Sequence, residues 1–192
     1  MIIAWSAPQS EQSTVPKEAH DSPLTLHDLQ VALTTHPTYH ATFQEKHFST
    51  LLTKPLMTSG ILTFTPPATM EKHILTPFEE IYVVEEEQVH FENPLKGISK
   101  TFFLDEHPLL QGISIGVRSA LTGDFETLRH IFTLKVEGTK SQWALRLEPL
   151  DDSLAEVIDC ISLTGHHHDI TSINIHEPNG DYALMIIEKV AN

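Results

Sequence analysis

Four pieces of one run, residues 39–94, decide the fold: Tyr39-His-Ala-Thr-Phe-Gln44, Gly60-Ile-Leu-Thr-Phe-Thr-Pro-Pro67, Thr76-Pro-Phe-Glu-Glu-Ile-Tyr-Val-Val84 and Val89-His-Phe-Glu-Asn-Pro94. Tyr39, Ala41 and Phe43 alternate with His40, Thr42 and Gln44, the period of a strand with one apolar face. Pro55 and Gly60 bound the next connection, and Ile61 to Thr65 is a strand with Leu62 and Phe64 on one face. Pro66-Pro67 stops it, because proline has no N–H to give a ladder. A third strand covers Met70 to Leu75, and Glu80 to Glu85 with Gln88 to Glu92 form a hairpin around Glu85-Glu86-Glu87, a solvated tip. With no helical pattern between them, these segments must pair as a meander, since their connections are too short for crossovers.

Outward from this run, the polar tract 8–23 leads to Leu24 to Leu33, where Leu26, Leu29 and Leu33 make an amphipathic helix with Thr25 as its cap and Asp28 three residues on. Leu109, Leu110, Ile113, Val117, Ala120 and Leu121 follow helical spacing and stop at Gly123, and a shorter helix covers Asp124 to Ile131. The period then returns to two. Phe132 to Glu137 and Trp143 to Leu147 form a hairpin, a helical turn lies near Leu154 to Val157, and strands cover Ile158 to Leu163, Ile170 to His176 and Tyr182 to Val190. Asn179-Gly180 marks the last turn. The expected fold is mainly β (α+β): an antiparallel sheet of about ten strands, curled into a barrel or left unclosed, with helices as its lid.

The chain has 192 residues, 40% of them hydrophobic, enough for one domain with a sizeable core. We expect one domain over 24–192 after a signal remnant and flexible tract over 1–23, in which Met1 to Ala7 resembles the end of a secretory signal. A net charge of −14, from 26 acidic and 12 basic residues, would repel nucleic acid and anionic lipid. No run of about 20 apolar residues suggests a membrane span. The single cysteine, Cys160, sits among Ile158, Ile161 and Leu163 and reads as a small core residue.

Two motifs have a chemical reading beside a structural one. Gly112-Ile-Ser-Ile-Gly116 matches the nucleophile elbow of serine esterases, with Ser114 as nucleophile and Asp159 or Asp169 and His176 as partners. Lying inside a helical pattern with no strand before it, it is better explained by two glycines that let a helix approach the sheet closely. His166-His167-His168 falls where a hairpin loop is expected, and successive strand residues point to opposite faces, so a solvated tip is expected rather than a metal site. No metal or other cofactor is called for.

In order and spacing, the elements quoted from 39–94 resemble the LolA-like outer-membrane lipoprotein carrier family. The resemblance implies an eleven-stranded unclosed barrel with a helical lid and a hydrophobic cavity for acyl chains. It also implies a non-enzymatic, monomeric periplasmic carrier of lipoprotein acyl chains or another lipid. Its partners would be a releasing transporter in the inner membrane and an acceptor at the outer membrane. The cavity residues expected here are Phe43, Leu62, Phe64, Met70, Ile74, Ile81, Val83 and Phe91 on the sheet, with Leu110, Ile113, Val117 and Leu121 on the lid. The family's arginine before the conserved proline is Pro66 here, and its nearby docking aromatic is Met70.

Overall fold

A computed structural model describes residues 23–34 and 39–190. Met1 to Ala7 and nearly all of the tract 1–23 lie outside the described residues. Helix α1 (Leu26–Leu33) begins on the expected capping box: the Asp28 amide donates to Thr25 Oγ1 at 3.1 Å and the Thr25 amide to Asp28 Oδ2 at 3.2 Å. The meander follows as β1 (Tyr39–Phe48), β2 (Leu56–Thr65), β3 (Thr69–Thr76), β4 (Glu80–Glu85) and β5 (Gln88–Asn93), then β6 (Ile98–Phe103). Helices α2 (Pro108–Thr122) and α3 (Phe125–Ile131) lead to β7 (Phe132–Gly138) and β8 (Trp143–Pro149). The one-turn helix α4 (Asp152–Ala155), then β9 (Cys160–His166), β10 (Asp169–His176) and β11 (Tyr182–Lys189), complete the fold.

The eleven strands of the described residues form one antiparallel sheet in the order β6-β5-β4-β3-β2-β1-β11-β10-β9-β8-β7. Strand β1 is its hinge, paired to β2 on one side and to β11 on the other. The two free edges, β6 and β7, are joined only through α2 and α3, so the barrel stays open and its helical segment bridges the gap.

Three differences from the sequence-based expectation have local causes. Strand β2 runs straight through Gly60 instead of starting after it, because a register shift between Ser59 and Gly60 absorbs the irregularity against β3. Strand β6 was not anticipated: Ile98, Lys100 and Phe102 carry too weak an alternation to announce an edge strand. The third concerns the β4–β5 turn. Glu85, which the sequence reading put both at the end of its strand and in the tip, pairs with Gln88, leaving a two-residue turn of Glu86, at φ 52°, and Glu87. One residue more or less in a hairpin loop exchanges the two faces of a strand. Tyr82 therefore stands opposite Phe91 and Val84 opposite Val89. Ile81 and Val83 turn to the other face of the sheet, beside Glu92 and His90.

The core lies on the concave face and under the helices. Tyr39, Ala41 and Phe43 of β1, Trp143, Leu145 and Leu147 of β8, and Met185 and Ile187 of β11 are buried there with Leu29, Leu33, Phe125 and Leu128 of the helices. Gly112 and Gly116 let α2 approach β8, β9 and α4. A Cβ on Gly112 would stand 2.6 Å from Ile158 Cδ1 and 2.7 Å from Leu154 Cδ1, and one on Gly116 would stand 3.2 Å from Ile161 Cδ1 and Leu147 Cδ1. The helix thus packs most closely on the second half of the sheet, not on the 39–94 run that it was expected to cover. Its link to that run is at the β4–β5 tip, where Arg118 Nη1 donates to the Glu86 carbonyl at 3.0 Å. At its C-terminus, Gly123 takes φ 68° and its carbonyl accepts from Gln30 Nε2 at 3.0 Å, tying α1 to α2.

Candidate functional site: the concave face of the meander

Residues directly opposite in neighbouring strands share a face, so the register reads out the concave wall row by row. One row is Tyr39, Phe64, Met70, Val84, Val89 and Phe102, and it is wholly apolar apart from the tyrosine hydroxyl. The next is Ala41, Leu62, Lys72, Tyr82, Phe91 and Lys100. The third begins with Phe43, Gly60 and Ile74, and beyond Ile74 it continues into the polar Glu80. The wall therefore grades from greasy to polar along the strands.

Phe43, Phe64 and Ile74 are buried, while Leu62, Met70 and Tyr82 are half-buried at the margin of the core. Of the expected cavity residues, the structure places Phe43, Leu62, Phe64, Met70, Ile74 and Phe91 on this wall. On α2, Ile113, Val117 and Leu121 pack against the core, and Leu110 is exposed. Ile81 and Val83, also expected in the cavity, lie on the opposite face of the sheet, for the reason of register given above. Tyr82 and Val84 are the residues of β4 that face the concave wall. Ile81 and Val83 make one apolar pair and Tyr82 and Val84 another on the opposite face, so composition could not choose between them, and only the pairing at the turn finds the inward pair.

Sequence reading also missed the polar end of the wall. Lys72 Nζ donates to Glu45 Oε2 at 2.7 Å and lies 5.2 Å from the centre of the Phe43 ring; the Glu45 side chain is 14% exposed and also accepts from Thr58 Oγ1 at 3.0 Å. Alongside, Tyr82 donates its hydroxyl to Glu80 Oε2 at 3.1 Å, and Asn93 Nδ2 donates to Glu80 Oε1 at 3.2 Å. Asn93 is itself buried and accepts from the Lys96 amide at 3.0 Å. An interior charge is tolerated when it is paired or hydrogen-bonded: Glu45 is both, through Lys72 and Thr58, and Glu80 accepts two hydrogen bonds, from Tyr82 and Asn93.

Burial, then the charge and hydrogen bond of Glu80 and the charge of Glu45, push the Tyr82 phenol from 10.0 up to about 12. Tyr39 reaches about 12 as well, through burial and the charge of Asp169. A raised folded pKa means that the folded state holds the proton more tightly. This stabilisation is complete below pH 10, the unfolded value, and is lost as pH rises through about 12. In a spectrophotometric titration of tyrosinate, two tyrosines should ionise only near pH 12, and Tyr82→Phe should remove one of these late steps; an unchanged late amplitude would refute the placement of Tyr82.

The other motifs resolve structurally. Ser114 sits in mid-helix, buried, with no hydrogen-bond partner for its hydroxyl among the described residues, so neither Asp159, Asp169 nor His176 activates it. His167 and His168 form the β9–β10 turn, His167 at φ 53°, and the His167 carbonyl accepts from Trp143 Nε1 at 2.9 Å. Among the described residues no group of three or more histidine, cysteine or acidic side chains is placed to hold a metal. Cys160 is buried, and burial pushes its thiol up, away from the reactive thiolate. An open groove of about 540 Å³ lies on the convex face, lined by Thr42, Gln44, Ile61, Leu75 and Ile186. Phe43 and Gly60 of the third row also border it.

With this geometry in place, residues 18–192 match the family model described as outer membrane lipoprotein carrier protein LolA-like. Among solved structures, the chain is similar to a LolA superfamily protein, NE2245 of Nitrosomonas europaea, with 8% identity, a TM-score of 0.48, and coverage of 87% of this chain and 92% of that one. It is also similar to a chain in the complex of the CwlD amidase with the GerS lipoprotein from Clostridioides difficile (12% identity, TM-score 0.39, 90% and 92% covered). A third likeness is LprF of Mycobacterium bovis (10% identity, TM-score 0.37, 87% and 91% covered). No curated protein sequence matches the chain.

Proposed function

Since the chain belongs to the LolA-like family of outer membrane lipoprotein carriers, we propose that it is a non-enzymatic periplasmic carrier that holds acyl chains of a lipoprotein or another amphiphile against its concave wall and passes them towards the outer membrane. The observation that carries this reading is the graded wall. Its apolar row of Phe64, Met70, Val84, Val89 and Phe102 suits hydrocarbon, and the paired polar groups beyond it suit the head of the same molecule. Leu62, Met70 and Tyr82 are half-buried, so a chain enters between the β2–β5 half of the wall and α2 as that helix withdraws from the β4–β5 tip. The wall is lined by the chain's own apolar side chains, and a releasing transporter and an outer-membrane acceptor would hold the helix open at either end of the transfer.

Burying a 16-carbon chain at about 0.8 kcal/mol per CH₂ yields roughly 12 kcal/mol before ordering costs, enough for useful affinity without a specific polar contact. Delipidated protein should take up a fluorescent fatty acid at a stoichiometry of one, and native mass spectrometry of protein purified from its own periplasm should show bound lipid. Absence of both would overturn the carrier reading. An activated phosphonate should leave Ser114 unlabelled.

A further inference from the structure

The end of the sheet at which β1, β3 and β5 finish and β2, β4 and β6 begin carries three connections: residues 49–55, 77–79 and 94–97. Each holds a large apolar side chain out to water. Leu51 is 91% exposed, Phe78 65% and Leu95 71%. Leu52, Leu56 and Met57 add exposed apolar surface beside the first of them.

These tips are held in place. Asp181 accepts from Ser49 Oγ at 2.8 Å and from the Thr50 amide at 2.7 Å, which fixes the base of the first tip. Asn93 and the left-handed Gly97 fix the tip that bears Leu95. Apolar side chains that pinned turns keep in solvent, clustered at one rim, mark an interaction surface rather than scattered exposure.

Charge selects the occupant. The chain as a whole carries −14, yet at these three connections Lys54 and Lys96 balance two carboxylates, Glu79, engaged with His73 Nε2 at 3.0 Å, and Asp181, engaged with Ser49 and Thr50, so the rim is near neutral on an acidic chain. Protruding leucine and phenylalanine with lysines between them match the interface of a phospholipid bilayer, where the rings and branches enter the acyl boundary and the ammonium groups meet phosphate. The acidic connections of the same end, around Asp151, Asp152 and Asp159, belong to the β7–β11 half. Repulsion from those carboxylates would tilt the molecule so that the meander half faces the lipid. The polar end of the concave wall, with Lys72, Glu45 and Glu80, lies towards the same rim.

We propose that the rim formed by Leu51, Phe78 and Leu95 docks the protein transiently on a phospholipid bilayer. This rests on the carrier reading only in giving the docking a purpose, and the two can fail separately. Wild-type protein should co-sediment with vesicles of phosphatidylethanolamine and phosphatidylglycerol. The variant Leu51→Ser/Phe78→Ser/Leu95→Ser should lose at least about tenfold in that affinity, with its circular dichroism melt and fatty-acid uptake intact. Lys54→Glu/Lys96→Glu should weaken binding to these vesicles more than binding to pure phosphatidylcholine. In Phe78→Trp, indole emission should shift to the blue on vesicle addition and be quenched by brominated lipid. Wild type that stays in the supernatant, a triple variant that binds as wild type does, or a triple variant whose only change is in self-association on a sizing column would each overturn the proposal. Loss of fatty-acid uptake with vesicle binding retained would instead overturn the carrier reading alone.

Discussion

Leu62→Arg and Met70→Arg should each weaken fatty-acid binding by about a hundredfold, while Ile81→Arg and Val83→Arg leave it within about threefold of wild type. An inward arginine on the wall removes contact with roughly four methylenes of a bound chain and places an unpaired charge against it. At about 0.8 kcal/mol per methylene the contact loss alone is roughly 3 kcal/mol, and each 1.4 kcal/mol is a factor of ten. Leu62 and Met70 are only half-buried, so the larger side chain can turn towards solvent in the empty protein and the fold should survive. Ile81 and Val83 are close in the chain and similar in chemistry, but the register β3 to β4 puts them opposite His73 and Glu71 on the convex face. Equal losses from the inward and outward pairs, read by fluorescence titration, would show that the wall is not where the chain binds.

Gly60→Ala should cost about 2–4 kcal/mol, with Tm lower by roughly 4–16 °C, although only one methyl group is added. A Cβ at this position would fall on the carbonyl oxygen of His73, with His73 C at 2.9 Å and Ile74 Cα at 3.0 Å. Those atoms are backbone of the neighbouring strand, and no rotamer change relieves the overlap. The β2–β3 pairing would have to open at the register shift between Ser59 and Gly60. Gly112→Ala is the matched comparison. Its new Cβ would meet only the tips of Ile158 and Leu154, which can turn, and alanine is favoured over glycine within a helix by about 1 kcal/mol. Its net effect should stay within about 1 kcal/mol. Thermal melts of the two variants decide the matter: a Gly60→Ala melt no lower than that of Gly112→Ala would sink the account of β2.

Much of the fold was legible because the relevant signals are local. Thr25 and Asp28 announced α1, Gly123 ended α2, Asp124 opened α3 by accepting from the Thr127 amide at 3.1 Å, and Asn179-Gly180 turned the chain into β11 with Gly180 at φ 89°. Alternation on β1 and β8 showed their buried faces directly, since polar residues fill the other side. The same method failed on β4. Ile81, Tyr82, Val83 and Val84 offer two apolar faces, and the choice passed to whether Glu85 belongs to the ladder or to the turn. It failed on β6 because an edge strand buries too little to need a clear pattern.

The candidate site was legible as a greasy inventory and not as a surface. Glu45, Lys72 and Glu80 look like ordinary surface charges in a linear chain. The pairing of Glu45 with Lys72 across β1 and β3, and the hydrogen bond to Glu80 on β4 from Asn93 on β5, exist only once the strands are in register, and so does the polar end of the wall. Gly112 and Gly116 were rightly read as a close-approach face, yet the partner of that face, β8 and β9 rather than the 39–94 run, depended on how the sheet curls.

The amino-acid sequence by itself determined that residues 39–94 make a meander, that a helical segment interrupts two runs of strands, and that the chain resembles a family of lipid carriers. Periodicity, caps and turns act over a few residues, so these conclusions need no knowledge of distant partners. Only the tertiary structure decided which side chains of that meander face inward and which half of the sheet the helix covers. Strand pairing is a long-range choice with a period of two, in which one residue of register exchanges the faces of a strand.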